Sequence, residues 1–177
     1  MILTLAYFNG DLFIDNLTGS QPVQLSVQSK VTSLIGKHEN EFLYLILGET
    51  FAKEFLAGIA GHLPAAIPAP WKALYDQLYT TQTVGATTYY YSVETNYIFH
   101  FYMKSLISMT TTSGEGKAKI DGMDNVSNWD KIIANWNSMV DQLWVIWDFL
   151  RDNATTYTTY KESEVDGFIG EKMTIFQ

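Results

Sequence analysis

The segment SNWDKIIANWNSMVDQLWVIWDFLRDN, residues Ser127 to Asn153, places large apolar side chains at Trp129, Ile132, Trp136, Met139, Leu143, Ile146 and Leu150. The steps alternate between three and four. A second row, Ile133, Val140 and Trp147, runs beside the first at steps of seven. This spacing predicts one α-helix with an apolar face broad enough for a globular core, wider than a coiled-coil seam. Ser127 with Asp130 fits a capping box, and Arg151 with Asn153 suits the C-terminal end. The helix carries packing and no chemistry.

Working outward, the chain has 177 residues, the size of one domain, and can bury roughly 70% of its unfolded surface. Only 17% of its residues are charged, whereas 15% are aromatic, so some aromatics are expected at subunit contacts. The net charge is −8 and Arg151 is the only arginine, which argues against grip on nucleic acid. Passage of DNA past an acidic wall is compatible with the charge, because repulsion prevents sticking. With no cysteine, disulfides, thiolate nucleophiles and Cys-type zinc sites are ruled out. MILTLAYFNGDLF lacks a basic n-region and is interrupted at Asn9-Gly10-Asp11, so neither a signal peptide nor a membrane span is expected, and a cytosolic site of synthesis is.

Residues 1–30 alternate loosely around Asn9-Gly10 and Thr18-Gly19 and predict an extended or β-like arm, with a first helix beginning within Ser26 to Ile35. Glu39 to Ile59 is helical in period, with Gly48 inside it as a point of close packing or a kink. Pro70 opens a short helix through Leu78, and TTQTVGATTYYY, residues 80–91, reads as a Thr-rich loop. A further helix covers Glu94 to Met109. Thr110 to Val126 is a long loop, or a hairpin built on Lys117 to Ile120. Beyond Asn153 a tail with a β-like end at Met173 and Ile175 docks on something. The expected fold is mainly α: a single domain, 1–177, forming a small bundle of four to five helices with an extended N-terminal segment, a loop at 110–126 and a C-terminal arm at 154–177.

Motifs for chemistry fail one by one. His38-Glu39 begins a zincin pattern, but Phe42 stands where the second histidine belongs, leaving His38 a surface residue near a helix start. His62 and His100 lie on separate segments with no orienting acid nearby in sequence. Asp121-Gly122-Met123-Asp124-Asn125, with Glu115 upstream, lacks the calcium-loop register. Gly114-Glu115-Gly116-Lys117 lacks the glycine spacing and the Ser/Thr of a phosphate loop, and no serine has the nucleophile-elbow context. No catalytic, cofactor or metal residue is assigned, and a non-enzymatic protein is expected. Of the helix tryptophans, Trp129, Trp136 and Trp147 fall on the apolar face. Trp144 and Phe149 fall off it and are the helix's candidate contact residues.

Three stretches resemble the head–tail connector (adaptor) proteins of tailed bacteriophages. These are HENEFLYLILGETFAKEFLAG (38–58), NYIFHFYMKSLI (96–107), and TTTSGEGKAKIDGMDNVS (110–127) leading directly into the long last helix and a trailing arm. The Thr- and aromatic-rich style with few arginines is similar to that of phages of Bacteroidetes hosts. The resemblance implies a structural virion protein of the neck, assembled in the bacterial cytoplasm as a homo-oligomeric ring, commonly a dodecamer. Such a ring sits below the portal protein, extends the DNA channel without specific DNA binding, and meets other neck or tail proteins. It places partner contacts on the loop, at Lys117, Lys119, Ile120 and Met123, and on the tail, at Phe168, Ile169, Met173, Ile175 and Phe176, beside Trp144 and Phe149. The alternative is a small-ligand or glycan-binding helical domain using exposed Trp and Tyr.

Overall fold

The computed structural model describes residues 2–107, 109–111, 114–116 and 128–174. Five helices dominate it: α1 (Pro22–Leu47), α2 (Glu49–Ile59), α3 (Trp71–Leu78), α4 (Val93–Ile107) and α5 (Asn128–Asp152). Two small antiparallel hairpins join them, β1 (Tyr79–Val84) with β2 (Thr87–Ser92), and β3 (Met109–Thr111) with β4 (Gly114–Gly116). The protein is mainly α.

The helix α1 starts earlier than the apolar periodicity indicates. Pro22 occupies its first turn, where the missing N–H costs nothing, and the Gln21 amide N–H donates to Gln24 Oε1 at 2.9 Å. One continuous helix therefore runs through the positions expected to separate two. His38 lies inside it, only 4% exposed, rather than on the surface at a helix start. Its ring stacks on Phe101 with centroids 4.1 Å apart, and its Nδ1 lies 2.7 Å from Glu41 Oε2. At Gly48 the backbone takes φ +77°, which ends α1 and redirects the chain into α2. The glycine expected to kink a single helix separates two.

The helix α5 buries Ile132, Met139, Val140, Leu143, Ile146, Trp147 and Leu150 against a core shared with α4, α1 and α2. Trp129 departs from the expected face and is half exposed at the first turn. Its proposed cap, Ser127, lies outside the described residues.

The N-terminal segment is not a β-like arm. It forms two short 3-10 turns, Leu5–Tyr7 and Gly10–Leu12, and places Leu3, Tyr7, Phe8, Ile14 and Leu17 in the core. The backbone N–H groups of Ile2 and Leu3 both donate to Glu39 Oε1. The stretch expected as a Thr-rich loop is the hairpin β1–β2. Its turn is Gly85-Ala86, with Gly85 at φ +62°, a conformation that favours glycine. Of the loop expected at 110–126, the β3–β4 pairing is described and Lys117 to Ile120 is not.

Candidate functional site

Five of the residues expected at partner contacts lie on α5 (Trp144, Phe149) or on the C-terminal segment that returns along it (Phe168, Ile169, Met173). After α5, Asn153 Nδ2 donates to the Phe149 carbonyl at 2.8 Å, occupying one of the acceptors a helix end leaves open. Tyr157 is buried and edge-packs against Phe51, and its hydroxyl donates to the Pro70 carbonyl at 3.0 Å. Asp166 N–H then donates to the Leu45 carbonyl at 2.9 Å, setting the 3-10 turn Gly167–Gly170 against α5.

Trp147 is the hub of this region. Its Nε1–H donates to the Ile46 carbonyl at 2.9 Å, satisfying an acceptor in the last turn of α1. Gly170 lies flat on its ring: a Cβ there would sit 2.9 Å from two ring carbons. From that point the chain runs back along α5. Trp136 Nε1–H donates to the Glu171 carbonyl at 2.8 Å, and Lys172 pairs with Asp141 at 2.6 Å. Asn137 holds Met173 at both ends, accepting from its N–H at 2.8 Å and donating to its carbonyl at 3.1 Å. The tail thus docks on its own helix with no strand at its described end. The Lys172–Asp141 pair is solvated on both sides and contributes little, whereas the Asn137 bonds fix register.

Within this clamp the expected contacts separate. Ile169 is in the core, and Phe149 is half-buried against Tyr157. Met173 is half-buried at the Asn137 bonds. Trp144 and Phe168 remain open, 49% and 76% exposed, with Trp144 edge-on to Trp147 at 5.3 Å. Lys117, Lys119, Ile120, Met123, Ile175 and Phe176 lie outside the described residues.

Two titratable groups on α4 are buried: His100, whose place between Phe99 and Phe101 points to a core position, and Glu94, which carries no such signal. Burial pushes the Glu94 carboxyl well above the ordinary range, with the nearby Glu39 adding to it; a 2.7 Å hydrogen bond from Tyr79 offsets part of this. His100 is held neutral, its pKa lowered to about 4 by burial and by Lys104, with its ring against Trp136. Among the described residues, Glu94 Oε1 and His100 Nδ1 have no hydrogen-bond partner. Both are sealed inside the core, so they tune stability and offer no surface to a substrate. Among the described residues no group of His, Asp or Glu is placed to hold a metal ion, and no helix is long and apolar enough to cross a membrane.

A cleft of about 550 Å³ opens on another side of α5, between the N-terminal turns, β2 and α4. Tyr7, Tyr90 and Tyr91 line one wall, and Asn96 of α4 with Asn135, Ser138 and Gln142 of α5 line the other. Asn9 ties the first wall together, its Nδ2 donating to the carbonyls of Ala6, Tyr7 and Tyr90. Asn135, Ser138 and Gln142 fall at steps of three and four, one face of the helix, though in the sequence they read only as the polar remainder beside the apolar rows. No family model matches this chain, and no similar curated protein or solved structure was found.

Proposed function

We propose that this chain is a structural subunit of a phage-type head–tail connector, assembling with copies of itself into a ring that joins a portal to a tail and lets DNA pass. The observation that carries the reading is the pair of aromatics, Trp144 and Phe168, left in water beside a clamp that otherwise pairs its polar groups closely. Burying two such rings at a subunit contact contributes about 1.5–3 kcal/mol each, the kind of anchor around which interfaces form. The order of parts in the sequence and the net charge of −8 support the same assignment. Its location is then the neck of the virion, and its partners are neighbouring copies, the portal protein and other neck or tail proteins.

The test mixes the purified chain with the portal protein of the same genome and follows it by sedimentation velocity and negative-stain microscopy. Ring-shaped complexes are expected. The double variant Trp144→Ala/Phe168→Ala is expected to keep its circular dichroism and melting temperature while losing those complexes. A chain that stays monomeric beside the portal overturns the proposal, as does a double variant that assembles normally.

A further inference from the structure

The cleft between the N-terminal turns, β2, α4 and α5 has features that simple surface packing does not require. Asn96 and Asn135 are 5% and 9% exposed, yet among the described residues neither side-chain amide has a hydrogen-bond partner in the protein. A side-chain amide without a protein partner at such a position is completed from the cleft, by water or by the polar groups of a ligand. Neither amide is sealed off as Glu94 Oε1 is; both reach the open volume. Beside them Gln142 Nε2 donates to Ser138 Oγ at 3.3 Å, leaving each with further bonding capacity toward the cleft.

We propose that this cleft is a binding site for a neutral, hydroxyl-rich small molecule of the saccharide class. Three properties select that chemistry. Side-chain amides both donate and accept, as hydroxyl groups do, so Asn96, Asn135 and Gln142 match a polyol without requiring charge on it. Tyrosines line the facing wall, Tyr90 half-buried and Tyr91 exposed, and aromatic side chains suit the C–H face of a sugar ring. Charge is balanced at the lining, one lysine (Lys131) against one aspartate (Asp11), which gives no preference for a phosphate or carboxylate. An extended peptide fits less well, because the Asn9 side chain already occupies the Tyr90 carbonyl that an added strand would use on β2. The volume lies within the range of small-molecule sites. This inference does not rest on the connector reading.

The full chain, labelled with 15N, is titrated with maltose, cellobiose, lactose and chitobiose in turn, while amide and side-chain NH2 shifts are followed. At least one disaccharide is expected to move the Asn96 and Asn135 side-chain signals together with the backbone signals of Tyr90 and Ser138. Asn135→Leu is expected to weaken that binding by about tenfold, the weight of one hydrogen bond to a ligand. Gln142→Ala, at the exposed rim and indifferent to folding, is expected to weaken it in the same direction. No shift with any of the four sugars overturns the proposal. Shifts confined to the Trp144 and Phe168 surface do so too, as does binding that both variants leave intact. A capped tripeptide that moves the cleft signals when the sugars do not makes the cleft a peptide groove and equally refutes the saccharide assignment.

Discussion

Replacing Glu94 by glutamine is expected to change the slope of stability against pH more informatively than its absolute value. Glu94 is buried on α4 with Tyr79 donating to it at 2.7 Å, and burial raises its carboxyl well above the ordinary range. In the folded protein it therefore keeps its proton at pH values where the unfolded chain, titrating near the usual 4.5, has lost it. The native state then binds one proton more than the unfolded state. Stability conferred by that proton is fully present below the unfolded value and falls, by about 1.4 kcal/mol for each pH unit, until Glu94 ionises in the folded protein. Glutamine holds no such proton. Its amide still accepts from Tyr79, but its NH2 takes the place of Oε1, which has no partner, at a pH-independent cost of about 1–3 kcal/mol. Urea unfolding of both proteins at half-unit steps from pH 5 to 7.5, followed by tryptophan fluorescence, measures the difference. Glu94→Gln is expected to gain on wild type as pH rises, by at most about 1.4 kcal/mol per unit and only up to the pH at which Glu94 ionises in the folded protein, whatever the offset at pH 5. Groups common to both proteins cancel. Parallel profiles refute the reasoning, since they mean that Glu94 titrates alike in both states.

The opposite slope belongs to His100, whose pKa is lowered to about 4: the unfolded chain binds the extra proton, so stability is lost as pH falls below about 6.5. His100→Phe, filling the place beside Trp136, is expected to remove that acid-side loss, read from a second urea series between pH 4.5 and 6.5. Asn137→Ala removes both bonds to Met173 and is expected to cost about 1–2 kcal/mol and to open residues 171–174 to hydrogen exchange while α5 stays protected. Gly58→Ala places a Cβ 2.2 Å from the Trp71 indole. Despite alanine's better helix propensity it is expected to lower the melting temperature through the shift of Trp71, measured by thermal circular dichroism.

What could be read beforehand follows the strength of the local signal. The helix α5 is written in its spacing, because a face packed along its length leaves apolar residues at every turn. Pro70 likewise marks α3. The hairpin β1–β2 is hidden because both strands are largely exposed, so no apolar alternation betrays them; only Gly85 and the β-branched Thr run hint at it. The start of α1 is hidden for the same reason, its first turns being solvated, so the local pattern puts His38 near a helix start although it lies well inside α1. Among candidate contacts, Trp144 was legible as the residue left off the apolar rows. Ile169 was not, because its burial depends on the tail folding back, a tertiary event with no local period. The cleft amides Asn96 and Asn135 carry no sequence signal at all, since polar residues beside an apolar stripe look the same whether they face water or a ligand.

The flat contact between Gly170 and Trp147 sets an order of events. Everything Trp147 needs for its hydrogen bond to Ile46 is made before the tail, but the cover over its ring arrives only when residue 170 leaves the ribosome. Until then the indole face is open, and it accepts only a chain without a side chain at that point. Selection by glycine makes the tail's last step a matter of fit as well as proximity.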